Sequence, residues 1–354
     1  MPKKENILLE KLQKDMEKQS PLYKPTTFWK EASQIIIDEL LKKDLKDFRS
    51  FDSALGMFVP TFAFPYYLKD IQRFKPVQKL LQELTEDKKS NLKLDLLIKG
   101  ENQAFADYRV LQASNINAAP YLDQVSESSI GNPLEQFEFN KRKFSRSFLN
   151  YLLGLSFLKQ NIDTSEIKNV FEIGGGFGTL GEILLSESRN KDYFYINADI
   201  PPVVHISSYY LKKVFGDSNI GTYEELKDYD ELNIKELKKQ YKALNIPSWQ
   251  VPKLKGTIDL FVNFISFQEM EPEVVQNYYK HISRLQAKYI LQRNILEGKK
   301  KQSADAPYGV TEPITGGNYD TFLPEYKLIA TDSSIFGFKT EDNFHSQLRL
   351  YERY

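Results

Sequence analysis

Two carboxylates and a run of glycines stand where a nucleoside could be held. Val170-Phe171-Glu172-Ile173 is an apolar run interrupted by one acid, and Gly174-Gly175-Gly176-Phe177-Gly178 follows at once. Glu172, Gly174, Gly176 and Gly178 form an acid-x-Gly-x-Gly-x-Gly series. A second strand-like run, Tyr193 to Ala198, ends in Asp199, 21 residues past Gly178. A glycine turn lets the backbone approach a ligand and aims the N–H groups of the next helix at it. Strand, glycine turn, helix, strand and acid together are how an open α/β sheet receives a nucleoside-bearing ligand. The acid inside the first motif points to S-adenosylmethionine. Glu172 is expected to meet the ammonium of its amino-acid tail. Gly174, Gly175, Gly176 and Gly178 admit the tail and ribose. Asp199 accepts from both ribose hydroxyls, with Ile200 beside it.

A rival register exists. Gly176-x-Gly178-x-x-Gly181 also matches the dinucleotide fingerprint, with Asp199 at a fitting distance. In that register the strand would run into Gly174 and Gly175 first, and Glu172 would repel a pyrophosphate. A glycine turn without a ligand is the third reading.

A second motif, Asn263-Phe-Ile-Ser266-Phe-Gln268-Glu269-Met270, follows a later strand. Together with Glu-Ile-Gly-Gly-Gly-Phe-Gly, Asp199-Ile-Pro, Tyr209-Tyr210-Leu211, Tyr278-Tyr279, Gly131-Asn132-Pro133 and Phe28-Trp29, it resembles a bacterial family of sugar O-methyltransferases within the class I S-adenosylmethionine-dependent superfamily. The resemblance spans most of residues 28–296. It implies methyl transfer to a sugar hydroxyl in the building of surface glycans or polysaccharides. The acceptor would then be a small molecule or a glycan, including a nucleotide- or lipid-linked sugar. A phenolic or amine metabolite, or a non-catalytic scaffold that binds the donor, are the alternatives.

Transfer from a sulfonium to a hydroxyl requires alignment of oxygen, methyl and sulfur, exclusion of water, and a group that takes the hydroxyl proton. The resemblance implies a base just after the fourth strand, where Glu269 is the candidate. His345 is the second. Gln268 can orient a hydroxyl but cannot act as a base. Asn263, Ser266 and Asn294 complete the expected acceptor-binding set. Glu269 or Ser266 could instead cap the following helix. His205 and His281 read as packing residues. Asp305 and Asp320 could ligate Mg²⁺, though their spacing does not demand a metal. Lys299-Lys300-Lys301 reads as a solvated loop face, or else as a grip on a phosphate.

The elements that must position these groups follow from periodicity. From residue 169 strands and helices alternate. Strands are expected near 169–173, 193–198, 258–265 and 289–296, and helices at 203–215 and 272–285. Residues 231–244 read as a helix, and a third strand belongs somewhere in 216–256. A structureless loop is expected over 297–325, then two strands at 326–331 and 345–351. The expected fold is therefore α/β: a Rossmann-like, seven-stranded class I methyltransferase sheet with a terminal antiparallel hairpin, occupying residues 126–354. Residues 1–125 read as a mostly helical acceptor or lid region, with Thr27 as a helix cap and further helices near 77–84 and 102–113. The aromatic stretch 57–67 is a packed loop or an acceptor wall. A helix is also expected over 138–158.

Bulk composition narrows the classes. Across 354 residues, 48 Lys and Arg balance 48 Asp and Glu, which gives no support for a nucleic-acid binder. There is no Cys, which excludes disulfides, thiolate metal sites and cysteine nucleophiles, and three His make a His-rich metal site an unsuitable reading. The 24 Phe and 21 Tyr residues supply material for large cores. No apolar run approaches the roughly 18–20 residues needed to span a bilayer, and the N-terminus lacks a signal-peptide core. The expectation is a cytoplasmic protein.

Overall fold

Val170, Phe171 and Ile173 are buried on both faces of one strand, which is why that segment reads as a continuous apolar run rather than an alternation. This strand, β1 (Asn169–Ile173), lies near the middle of a nine-stranded sheet. The computed structural model describes residues 4–59, 100–187, 192–303, 309–339 and 345–354, with isolated positions 76, 79 and 189.

The other strands are β2 (Phe194–Asp199), β3 (Ile220–Thr222), β4 (Ala243–Pro247), β5 (Leu260–Phe264), β6 (Tyr289–Ile295), β7 (Tyr326–Asp332), β8 (Phe338–Lys339) and β9 (His345–Arg353). Their order is β7-β9-β6-β5-β1-β2-β4-β3, with β8 beside β9. The run from β6 to β3 is parallel, whereas β9 is antiparallel to β6, β7 and β8. The sheet is Rossmann-like, and it has the expected antiparallel pairing at one end. Two short edge additions, β3 and β8, take it from seven strands to nine. The chain leaves β1 for β2 on one side and places β5 on the other, so a crevice opens at their C-terminal ends.

The 216–256 window holds two strands of the sheet, β4 beside β2 and the short edge strand β3. The expected helix over 231–244 is corrected: only Ile234–Leu237 is helical there. Ala243–Pro247 is fully buried between β2 and β3, and burial between two strands outweighs a helical-looking pattern. The expected helix from 138 is likewise corrected to a hairpin, Phe137–Phe139 with Arg142–Phe144, followed by the first helix of the sheet domain, Arg146–Asn161. Phe137 and Phe139 alternate with exposed Glu138, which is a strand pattern. Ser145 then caps the helix, its Oγ accepting the Phe148 N–H at 3.1 Å. The 297–325 loop is also less irregular than expected, since it contains the helix Gly316–Phe322.

In chain order the helices used below are α1 (Lys4–Glu17), α2 (Thr27–Lys42), α3 (Asp52–Met57), α4 (Glu101–Ser114), α5 (Arg146–Asn161), α6 (Thr179–Ser186), α7 (Val203–Phe215) and α8 (Pro272–Arg284). Thr26, not Thr27, occupies the cap of α2. Apart from Lys79, the helix expected near 77–84 lies outside the described residues, as do residues 60–67 of the aromatic stretch. α5 buries Phe148, Leu149, Leu152 and Leu155 completely, and each such side chain contributes roughly 1.5–3 kcal/mol. Its core is continuous with Phe48 and Leu55 of the N-terminal region and with Val170 and Tyr195 of the sheet. No helix among the described residues is long and apolar enough to cross a membrane.

Candidate functional site

A cavity of about 440 Å³ opens at the C-terminal ends of β1, β2 and β5. Gly174, Gly175 and Gly176 form its floor, and Asp199 and Ile200 stand at the end of β2. Ser266 and Glu269 rise from the turn after β5. Trp29, Met57 and Phe58 come over from the N-terminal region, and Tyr151 and Phe264 close the side toward α5.

The glycine turn needs its glycines for space as well as conformation. Gly174 has φ +71°, and a methyl group added there would meet Ser266 Oγ at 2.1 Å. A methyl on Gly175 would come within 2.5 Å of Glu172 Oε2 and 2.6 Å of Asn197 Oδ1. Beneath the turn, the Gly175 N–H donates to Asn197 Oδ1 at 3.2 Å, and Asn197 donates to Asn245 Oδ1 of β4 at 2.8 Å. Buried amides thus tie the turn to two strands.

Glu172 occupies a different place from the one expected. Alternation along β1 puts it on the same face as Val170, toward α5. Its Oε1 accepts the Tyr151 hydroxyl at 2.9 Å and its Oε2 accepts the Tyr195 hydroxyl at 2.5 Å. It is fully buried below the glycine turn and does not line the cavity. The expected direct contact with a ligand's ammonium is therefore replaced by support of the turn from below. Burial raises the Glu172 carboxyl to about 7, against the lowering effect of the two tyrosine hydroxyls.

Asp199 does face the cavity. Its Oδ1 accepts the Ile200 N–H at 2.8 Å. Burial raises its carboxyl to about 8, opposed by backbone N–H groups of Ile200 and Gly176 and reinforced by the charges of Glu172 and Glu269. Glu182, on α6, is raised to about 7 by burial and then by the charge of Glu127.

These shifts have a definite sign. All three groups bind protons more tightly in the fold than in the unfolded chain. Their contribution to stability is complete below the ordinary carboxylate range and is lost as pH rises through about 7 to 8. The thermal midpoint is therefore expected to fall between pH 5 and pH 8. Glu172→Gln should flatten that slope and raise the midpoint at pH 8, since the amide carries no charge to desolvate. A Glu172→Gln profile parallel to that of the unaltered chain in differential scanning calorimetry would contradict this.

Ile265 links β5 to the next turn with φ +75°, a conformation that costs a β-branched residue on the order of 1–3 kcal/mol. Its N–H donates to the Arg293 carbonyl at 2.7 Å. The reversal swings Ser266–Glu269 over the cavity. Ser266 lines it while donating to the Ile173 carbonyl at 3.1 Å.

The remaining expected acceptor contacts are corrected. Asn263 donates to the Ile173 carbonyl at 2.9 Å and accepts from the Phe267 N–H at 3.1 Å. Gln268 Oε1 accepts the Ile295 N–H at 2.8 Å, and Asn294 Oδ1 accepts the Gln268 N–H at 3.1 Å. All three are buried behind the wall and brace the strained turn, because orphaned backbone groups at strand ends need partners.

Glu269 reaches the cavity wall, and it does not cap α8, where Glu271 is the cap residue. Trp29 Nε1 donates to Oε2 at 3.1 Å, and Lys299 Nζ donates to Oε1 at 3.0 Å. Burial raises its carboxyl, with Lys299 and Trp29 opposing. Lys299 also lies 3.9 Å from the Phe28 ring centroid, so the lysine run begins inside the structure rather than on a solvated face. His345 lies away from this cavity, between Glu297 (3.1 Å) and Ser333 (2.6 Å). His205 is buried, and His281 bonds Tyr23 at 2.8 Å. Asp320 is engaged by Arg349 at 2.6 Å and Tyr351 at 2.8 Å, and Asp305 lies outside the described residues.

The cavity lining also includes Trp29, the partner of Glu269, and Ser147, Asn150 and Arg293. Arg293 has a signal, a cation in a buried strand that opens on the apolar run Tyr289–Leu291. Ser147 and Asn150 have a weaker one, two polar residues three apart on a largely apolar helix.

No family model matches the chain, and no curated protein is similar to it. Among solved structures it is similar to the mitomycin 7-O-methyltransferase MmcR, at 12% identity and TM-score 0.37 over 59% of this chain; the match spans 55% of that chain. It is similar to magnesium protoporphyrin IX methyltransferase from Synechocystis PCC 6803 with bound SAM, at 10% identity and TM-score 0.37 over 59% of this chain and 81% of that one. A third likeness is to a SAM-dependent methyltransferase from Leishmania major, at 10% identity and TM-score 0.40 over 70% and 83% of the two chains. Likeness at this level carries no argument about activity.

Proposed function

We propose that the protein is an S-adenosylmethionine-dependent O-methyltransferase acting on a hydroxyl of a small-molecule acceptor, with a sugar hydroxyl as the leading class. The observation that carries this reading is the pairing of an open glycine-floored cavity with Asp199 on its rim. Two hydroxyl donors favour the charged form of Asp199 that burial otherwise disfavours, and a ribose diol offers both. Gly174, Gly175 and Gly176 hold the amino-acid tail and ribose. Ile200, Val203, Val274 and Tyr278, which also line the cavity and are mostly apolar, take the adenine on this reading. S-adenosylmethionine would supply an electrophilic methyl group.

On this reading the chain's own residues do three things. The N-terminal residues Trp29, Met57 and Phe58 exclude water from above. The glycine floor and Ser266 orient the reactants. Glu269 takes the acceptor's proton, helped by the burial that raises its basicity. The aromatic walls formed by Trp29, Phe58, Tyr151 and Phe264 favour a second reading, a phenolic acceptor.

Isothermal titration with S-adenosylmethionine tests the donor. The unaltered chain should bind it, and Asp199→Ala should weaken binding roughly 100-fold, the loss of two charge-assisted hydrogen bonds of about 1.5 kcal/mol each. Binding of NADH in place of S-adenosylmethionine by the folded protein would falsify the proposal and favour the dinucleotide register.

A further inference from the structure

Arg293 is fully buried in β6 yet lines the cavity. Its Nε donates to Ser346 Oγ at 3.0 Å and its Nη2 to the Phe336 carbonyl at 2.7 Å. Among the described residues Nη1 has no partner, and no carboxylate lies within ion-pair distance of the guanidinium. Asp107 and Asp332 favour its charge only from a distance: Asp107 pairs with Arg146 at 3.0 Å, and Asp332 accepts backbone N–H groups of Ile335 and Phe336. A buried cation without a counter-ion is costly and survives where something else supplies the charge. The same cavity is lined by Ser147 and Asn150, one helical turn apart on α5 between Arg146 and Tyr151, whose charges act on Arg293; neither side chain is hydrogen-bonded to a described residue, and the Phe338 ring centroid is 5.4 Å from the guanidinium. Burial lowers the Arg293 guanidinium only to about 10, so it stays charged at neutral pH.

We infer that Arg293, Ser147 and Asn150 form an anion subsite, so that the acceptor carries a carboxylate or phosphate beside the hydroxyl that receives the methyl group. The guanidinium supplies the charge, and the hydroxyl and amide supply neutral donors around it. This inference rests on the methyl-transfer reading and specifies its substrate class.

Labelled S-adenosylmethionine, offered with matched acceptors, tests it. Two pairs are used: methyl glucoside against methyl glucuronide, and 4-hydroxybenzyl alcohol against 4-hydroxybenzoate. Glucose 6-phosphate distinguishes phosphate from carboxylate. A charged member should be preferred at least tenfold in kcat/KM. Arg293→Lys should cut that preference, and Asn150→Ala, which leaves the strand untouched, should raise KM for the charged acceptor. Both variants should keep donor affinity by calorimetry. Donor binding with equal or greater use of the neutral acceptors overturns the anion subsite alone. Absence of donor binding by the unaltered, folded protein overturns the methyl-transfer reading, and the subsite with it.

Discussion

A Glu269→Gln variant is expected to lose about 10²- to 10⁴-fold in kcat while its affinity for S-adenosylmethionine changes little, the range for removing a positioned general base. The amide cannot take a proton, and the geometry around it is otherwise similar. One complication is built into the site. Trp29 Nε1 and Lys299 Nζ donate to different oxygens of this carboxylate, and in a glutamine one of those two positions becomes an NH2 that cannot accept. Trp29→Phe, which removes the indole donor and keeps the acid, separates the two effects: it should retain most of the turnover that Glu269→Gln loses. Because burial raises the Glu269 carboxyl, kcat/KM should climb with pH as that group deprotonates, starting above the ordinary carboxylate range. His345→Gln should leave turnover unchanged, since His345 sits between Glu297 and Ser333 outside the cavity. A loss below tenfold in Glu269→Gln, measured under single-turnover conditions with donor saturating, would move the base elsewhere.

Comparable in size is the expected effect of breaking the Arg49–Glu127 pair. Both side chains are fully buried, and Arg49 Nη2 donates to Glu127 Oε1. Glu127 also accepts from the Ser145 hydroxyl at 2.8 Å, and Arg49 Nη1 donates to the Ser128 carbonyl at 2.9 Å. The guanidinium lies 5.0 Å from the ring centroid of Phe177, inside the glycine turn. This pair therefore fastens the N-terminal region to the floor of the cavity. Glu127→Ala leaves the guanidinium buried without its counter-charge and should cost about 3–5 kcal/mol in urea unfolding. The double replacement Arg49→Met with Glu127→Leu removes both charges and should recover most of that loss, giving strong non-additivity. A single-variant loss below about 1 kcal/mol, or additive behaviour in the double variant, would mean that the pair is hydrated and contributes little.

How much of the site was legible in the sequence depended on whether a residue's role is local. The glycine turn, Asp199 and the strands that carry them follow from short-range chemistry: a β-run, a backbone conformation open to glycine, and an acid at the strand's end. Glu172 stands out in the sequence by its motif, but its hydrogen-bond partners do not. Its position in the motif is local, whereas the hydroxyls of Tyr151 and Tyr195 come from 21 and 23 residues away. Asn263, Gln268 and Asn294 lie at strand ends by the crevice, where sequence position alone suggests acceptor contacts. The structure spends them on backbone groups around Ile265, whose left-handed conformation no pattern of side chains announces.

The sequence by itself determined the alternating α/β order, the Rossmann-like sheet with its antiparallel end, the glycine floor and the acid on its rim, because these rest on periodicity, turn chemistry and residues close along the chain. Tertiary structure alone decided that Ala243–Pro247 pairs with β2 and that Lys299 and Trp29 hold Glu269. Those contacts join residues 30 to 240 positions apart. Their partners are set by how buried layers pack and by which polar groups must find one another once water is gone.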